Sequence, residues 1–268
     1  MNEYYKVIAD VEELKYFYDN VLVKPEDGES IMICHSARAK KLNDEERKLL
    51  GTNRAEMFHT EISKKRVGED YIFEDFLALV SKLEVNKNAY LTKAHAWYPD
   101  KSLVSYIYMN PCSEAACAQD TLNEINVINA ELINAGLRHS EKGIADSIWK
   151  LSTISNHIKS CHAQNPSRKV WVDFDIDCLD LDEEGIKKIK DATLKFFKEG
   201  QFVMVRTSGG VHCLVKREFL KFNPAMYCNE ITNALSGYEV PEVKKNDNCM
   251  IPVPGTRMYR DHIVKVIR

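Results

Sequence analysis

The sequence predicts a mixed α+β protein, with an N-terminal α/β unit over residues 1–164 packed on a C-terminal β-α-β-β-α-β unit over residues 165–268. Three observations carry this. "KVWVDFDID" (169–177) alternates Val170, Val172, Phe174 and Ile176 with Trp171, Asp173, Asp175 and Asp177, the period of a strand with one apolar and one acidic face. "LDEEGIKKIKDATLKFFKEG" (181–200) has helical spacing, with Ile186, Ile189, Thr193 and Phe196/Phe197 on one side, an acidic start and a closing Gly200. "QFVMVRT" (201–207) and "VHCLVKR" (211–217) are separated only by Ser208, Gly209 and Gly210, which predicts a hairpin.

In the first half, "VEELKYFYDNVL" (11–22) predicts a helix and "SIMICHS" (30–36) a short buried strand. "NDEERKLLG" (43–51) has an Asn cap, acidic residues in the first turn and a terminal glycine, marking a short helix. "YIFEDFLALVSKL" (71–83) predicts another helix, and "SLVSYIYMN" (102–110) a strand ending at an Asn-Pro turn. A long helix is expected from about Ser113 to Ala135, with Leu122, Ile125, Ile128, Leu132 and Ile133 on one face. In the second half a helix over about 224–236 and a last apolar strand near Cys249–Val253 complete the order of elements. That order is the split βαβ arrangement of ferredoxin-like and RNA-recognition-motif-like units.

Composition narrows the classes of function. Apolar residues make up 44% of the 268 and charged residues 29%, as in globular proteins, and apolar runs such as "FLALV" (76–80) are far too short for a membrane span. The N-terminus lacks the basic-then-apolar pattern of a secretory signal, so a cytoplasmic protein with reduced thiols is expected. The eight cysteines form no CxxC pair. "HIKSCH" places His157, Cys161 and His162 on a predicted helix, but a zinc site there needs a further ligand from elsewhere, and no structural zinc is expected. A net charge of −3 excludes coating of nucleic acid by bulk positive charge. Charge is uneven, however: Arg38 to Arg66 holds nine Lys/Arg against five Asp/Glu, and Val243 to Arg268 six against two. Such segments either follow a phosphate backbone or are solvated faces; Arg38, Lys40 and Lys41 are the nucleic-acid-binding candidates.

The chemistry centres on the acidic strand. Asp173 and Asp175 share a face, roughly 6.5–7 Å apart along the chain, and Asp177 continues the row. Like charges in register repel. Either the row is solvated, or a divalent cation such as Mg²⁺ or Mn²⁺ neutralises it, as in two-metal sites with ions about 3.5–4 Å apart. The hairpin favours the second reading, because His212 follows a glycine turn that belongs to the same sheet, and such a turn suits anions. Carboxylates, a phosphate-sized turn and a histidine are the parts needed to hold a nucleoside triphosphate.

"VDFDID", followed about thirty residues later by "TSGGVH", resembles the first two motifs of the archaeo-eukaryotic primase superfamily, which includes primase-polymerases of plasmids and phages. The resemblance implies a catalytic core at about 165–268 beside an N-terminal α/β unit. It implies that Asp173 and Asp175 bind the catalytic Mg²⁺ or Mn²⁺, and that His212 contacts the incoming nucleotide's phosphates. Arg206, Thr207, Ser208, Gly209, Gly210 and Arg257 would complete the nucleotide site. "PVPGT" (252–256) and "YMNPCS" (108–113) are similar to further segments of relatives. The chain departs from the pattern in three places. The third metal carboxylate falls nearest Asp247, one residue out of place, with Glu239 and Glu242 as weaker candidates. Pro252 and Cys112 stand where relatives often have Arg, losses that Arg257 or Arg260 would offset.

The sequence therefore leads to a primase or primase-polymerase that takes NTP or dNTP on a single-stranded DNA template, with no membrane partner. Recruitment to a fork would fall to a separate helicase or replication protein. A primase-like module that binds nucleotide or nucleic acid without turnover is the second reading. Another DxD metal-dependent transferase or nuclease is the third, and it explains the hairpin histidine less well.

Overall fold

The computed structural model describes residues 5–39, 42–50, 56–84, 86, 98–178, 181–238, 242–246, 248–259 and 261–268. Lys40, Lys41, Glu239, Asp247 and Arg260 lie outside the described residues. Those described form eight α-helices and two antiparallel sheets, so the α+β class is as expected.

In chain order the first half contains α1 (Val11–Asn20), β1 (Glu29–Ala37), α2 (Asp44–Leu50), β2 (Glu56–Lys64), α3 (Phe73–Ser81), β3 (Leu103–Tyr108), β4 (Cys112–Ser113), α4 (Glu114–Leu137), α5 (Glu141–Ser152) and α6 (Ile154–Gln164). The second half contains β5 (Trp171–Asp177), α7 (Glu183–Leu194), β6 (Phe202–Thr207), β7 (Gly210–Lys216), α8 (Pro224–Ala234), β8 (Glu242–Asn246), β9 (Met250–Pro252), β10 (Arg257–Met258), β11 (His262–Ile263) and β12 (Lys265–Ile267). The helices begin where local chemistry satisfies their first amides. Asp10, Ser113, Ser140, Asp182 and Asn223 each accept a hydrogen bond from an N-terminal amide. Asn43 and Glu46 exchange reciprocal bonds at the start of α2, a capping box.

The first sheet has the order β11-β10-β3-β1-β2, with β4 pairing β1 and β9 pairing β3. Every residue of β1 is buried, as befits its central position. The second sheet has the order β12-β6-β7-β5-β8. Its four strands from β5 to β8 therefore lie side by side as second, third, first, fourth. Helices α7 and α8 cover one face through Val172, Phe174, Ile176, Ile186, Ile189, Phe197, Tyr227 and Ile231. Residues of the opposite face, Trp171, Val205 and Leu214, join the larger core with Ile33, Val104 and Tyr106 of the first sheet.

Two clamps hold the seam between the sheets beside β5. Asn110 accepts at Oδ1 from the amides of Val170 and Trp171 (both 2.9 Å) and donates from Nδ2 to the Trp171 carbonyl (3.1 Å). Arg168 donates to both oxygens of Glu29, at 2.8 and 2.6 Å. Burial raises the Glu29 pKa, but bonds from Arg168 and Ser167 outweigh it and hold the carboxyl down at about 2.

Three expectations are corrected. The last strand of the β-α-β-β-α-β succession is the polar Glu242–Asn246, not the apolar segment near Cys249–Val253. That apolar segment turns at Cys249 (φ 47°) and Met250–Pro252 pairs with β3 in the first sheet. The reason is burial: β8 is an edge strand and stays polar, whereas Ile251 and Val253 are fully enclosed. Strands from both sides of residue 164 thus pair in the first sheet, while β12 returns to the second. Next, α4 buries only part of the expected apolar face: Ile128 is enclosed, but Leu122 and Ile133 are exposed. Finally, Thr207 pairs with Gly210, so the hairpin loop is the two residues Ser208 and Gly209 rather than three. Among the described residues no helix is long and apolar enough to cross a membrane.

Candidate active site at the seam between the sheets

The alternation along β5 turns Phe174 and Ile176 toward the helices and leaves Asp173, Asp175 and Asp177 on the face toward the first sheet. Strand pairing then decides what meets them. Asp175 lies opposite His212 on β7 and Lys244 on β8. Asp173 lies opposite Leu214 and Asn246, and Asp177 opposite Gly210 and Glu242.

The His212 ring spans two of these acids. Its Nδ1 donates to Asp173, 3.0 Å from Oδ2 and 3.2 Å from Oδ1, because a carboxylate only accepts. Its Nε2 is 3.7 Å from Asp175 Oδ1. Asn246 Nδ2 donates to Asp173 Oδ2 at 3.0 Å. Asp173 is wholly buried, whereas the Asp175 side chain is 24% exposed. Burial pushes the His212 pKa down, but the Asp173 charge and hydrogen bond, with Asp175 and Asp177 behind them, outweigh this and raise it. Asp175 is raised by desolvation first; His212 and Lys244 lower it, and Asp177 and Asp173 raise it further.

A cavity of about 250 Å³ opens against this face. The second sheet contributes Asp175, Asp177, Thr207, Gly209, His212, Lys244 and Asn246 to its wall. Opposite them stand Arg38, Tyr106, Met250, Pro252, Met258 and Tyr259. Arg38 donates from Nη1 to the Tyr106 hydroxyl at 2.6 Å and stacks 5.6 Å from that ring, which fixes a cation at the cavity wall. Lys244 is paired with Glu242 at 3.3 Å. Arg38 thus faces the carboxylates across a small polar space, with Lys244 beside Asp175 on their own sheet.

The hairpin is built on Gly210. A Cβ there would stand 1.9 Å from the Ile176 carbonyl oxygen, so only glycine lets β7 approach β5 so closely. Thr207 Oγ1 donates to the Gly210 carbonyl at 3.2 Å and accepts from the Gly209 amide at 3.3 Å. The Gly209 carbonyl accepts from Cys178 N at 2.9 Å. Ser208 Oγ is buried with no hydrogen-bond partner.

Of the residues singled out in the sequence, Asp173, Asp175, His212, Thr207, Gly209 and Gly210 come together here. Arg38, expected on a nucleic-acid surface, instead lines the cavity. Arg206 does not join them: it points to the helical layer and pairs with Glu183 of α7. Arg257 and Ser208 are absent from the cavity wall among the described residues. Cys112 lies with Cys117 and Cys161 rather than at the site. The sequence reading missed Lys244, Asn246, Tyr106 and Tyr259. The alternation in "EVKKN" puts Lys244 and Asn246 on one face, but without the β5–β8 register nothing relates that face to the acids.

The donor set suits a hard divalent cation in kind: Asp175 and Asp177 offer carboxylates to the cavity, with Asp173 directly behind the imidazole. Lys244 and Arg38 add fixed positive charge suited to phosphate. No protein-family model, curated protein or solved structure matches the chain.

Proposed function

We propose that this chain is a template-directed nucleotidyltransferase, a primase or primase-polymerase. The observation that carries the reading is the pairing of β5 with β7, which seats His212 opposite Asp175 and in hydrogen-bond contact with Asp173. We read the β6-β7-β5-β8 order of the second sheet as a ferredoxin-like, RNA-recognition-motif-like arrangement, and that reading supports the proposal. So does the likeness of "VDFDID" and "TSGGVH" to primase-superfamily motifs.

Asp175 and Asp177 line the cavity and would hold Mg²⁺ or Mn²⁺, which when bound supplies positive charge against the triphosphate. The buried Asp173, bonded to His212 and Asn246, orients the imidazole. The chain's own residues position the reactants. Lys244 and Arg38 attract the phosphates into the cavity, and Thr207 adds a hydroxyl. His212, held from behind by Asp173, keeps Nε2 on the cavity side, where the protonated ring would donate to a phosphate oxygen. A 3′-hydroxyl gives up its proton to solvent and attacks the α-phosphorus, the new P–O bond forms as the α–β phosphoanhydride bond breaks, and pyrophosphate leaves. A second cavity of about 430 Å³ shares Asn246 with the first and is lined by Lys169, Arg217, Lys245 and Tyr108. This basic and aromatic wall is where we place the single-stranded template. A separate helicase would deliver that template.

The test is primer synthesis and extension on single-stranded DNA with labelled NTPs and dNTPs in Mn²⁺. Wild type is expected to give products, and Asp173→Asn to lose them by roughly a thousandfold or more while still melting cooperatively. Undiminished product from Asp173→Asn overturns the assignment. Asn246, opposite Asp173 on β8, favours a second reading, a nucleotide-binding module without turnover, because an amide there adds no third metal carboxylate. Stabilisation by NTP and Mn²⁺ without product decides for that reading.

A further inference from the structure

Away from the carboxylate seam, one small core is made of sulfur alone. Cys112, Cys117 and Cys161 are buried together, at 2%, 3% and 4% exposure, as a cluster separate from the two large cores. Cys112 Sγ and Cys117 Sγ are 3.0 Å apart, and both thiols are free; a disulfide would bring them to about 2.05 Å. A ring nitrogen of His162 lies within 4.8 Å of both sulfurs. Three aliphatic side chains would fill such a place with more apolar contact, so burial alone is a poor reason to gather thiols and an imidazole here.

The site joins two stretches remote in sequence: Cys112 and Cys117 are five residues apart, and His162 comes from another helix. Cys112 stands on β4, Cys117 in the first turn of α4, and His162 near the end of α6. The backbone is already drawn together around them. Cys112 bridges to Pro166, Ser113 N donates to the Asn165 carbonyl at 3.0 Å, and Asn165 Nδ2 donates to Asp120 at 2.7 Å. The imidazole is also prepared: His162 Nδ1 donates to the Ile158 carbonyl at 2.8 Å, so the neutral ring keeps its lone pair on Nε2. A hydrogen bond from the far ring nitrogen to a carbonyl fixes the tautomer of metal-bound histidines.

We propose that Cys112, Cys117 and His162 bind a zinc ion whose fourth position is open to water, stapling α4 and α6 to β4. Tetrahedral zinc with Zn–S near 2.3 Å separates its sulfurs by about 3.7 Å, so the cysteine pair opens by less than an ångström to accept the ion. The soft donors distinguish this site from the carboxylate seam, whose hard oxygens suit Mg²⁺ or Mn²⁺. The staple fixes the chain between α6 and β5, and His162 itself lines the basic cavity.

The test is metal analysis of the full chain, purified under reducing conditions, followed by cobalt(II) titration of protein stripped by a chelator. One equivalent of zinc is expected, and cobalt should give the intense absorption of thiolate ligation, a signal that carboxylates do not produce. Cys117→Ser and His162→Ala should each lose the zinc, and Asp173→Asn should retain both metal and spectrum. Circular dichroism of stripped wild type separates loss of metal from loss of fold. A folded, reduced wild type that takes up no cobalt with a thiolate band overturns the proposal. So does a Cys112–Cys117 disulfide found by mass spectrometry in freshly isolated protein. None of these readouts depends on nucleotidyl transfer.

Discussion

His212 bridges two carboxylates of one strand, donating from Nδ1 to the fully buried Asp173 while its Nε2 stands 3.7 Å from Asp175. A neutral imidazole can satisfy Asp173, but only the protonated ring balances charge on both sides. This relationship decides how the metal-free protein responds to pH.

Burial opposes protonation of His212 and the Asp173 charge favours it more, so its folded pKa lies above the ordinary value of 6.5. Stabilisation from a raised pKa is fully present below the unfolded value and is lost as pH rises through the folded one. Metal-free wild type is therefore expected to lose melting temperature as pH climbs from about 6.5 upward, and His212→Gln to flatten that slope. Mn²⁺ on the neighbouring carboxylates should pull the His212 titration downward, followed by NMR of the imidazole proton. A His212 that titrates below the ordinary histidine range without metal contradicts the bridge.

Asn246 tests the third-carboxylate question from the structural side. Its amide now donates to Asp173, so Asn246→Asp removes a donor and sets a second negative charge beside a buried one. A cost of roughly 1–3 kcal/mol is expected without metal, measured by chemical denaturation. In Mn²⁺ the order should invert, with tighter cation binding by calorimetry and a larger thermal shift than wild type. Unchanged Mn²⁺ affinity would place the cation elsewhere.

Gly210 tests the hairpin. Its φ of 153° and the 1.9 Å approach of a Cβ to the Ile176 carbonyl make alanine unfit both conformationally and sterically. Gly210→Ala should cost roughly 2–4 kcal/mol and displace His212 from β5. Gly237, with open space around it, is the control, and Gly237→Ala should change stability by no more than about 0.5 kcal/mol. Equal effects at the two positions would show that β7 does not approach β5 as described.

Much of this protein is written in short-range signals. The Asn43–Glu46 capping box, the period-two row of Asp173, Asp175 and Asp177, and the helical face of Ile186 and Ile189 follow from neighbours a few residues apart. Those interactions operate in any context, which is why the sequence alone determined α7, β5 and the hairpin, whereas the β5–β7 register seats His212 beside the acids. Tertiary structure decided the rest. It took the polar "EVKKN" rather than the apolar "MIPV" into the acidic sheet, because a strand's polarity follows how much of it is covered, not which sheet it joins. It turned Arg206 away from the cavity and brought Arg38 into it. It set Asn110 as a backbone clamp on β5 and brought His162 from a remote helix to the Cys112–Cys117 pair. Pairing register and packing join residues up to a hundred or more positions apart. No local pattern encodes which of them meet, because that choice is made only when two faces compete to be buried together.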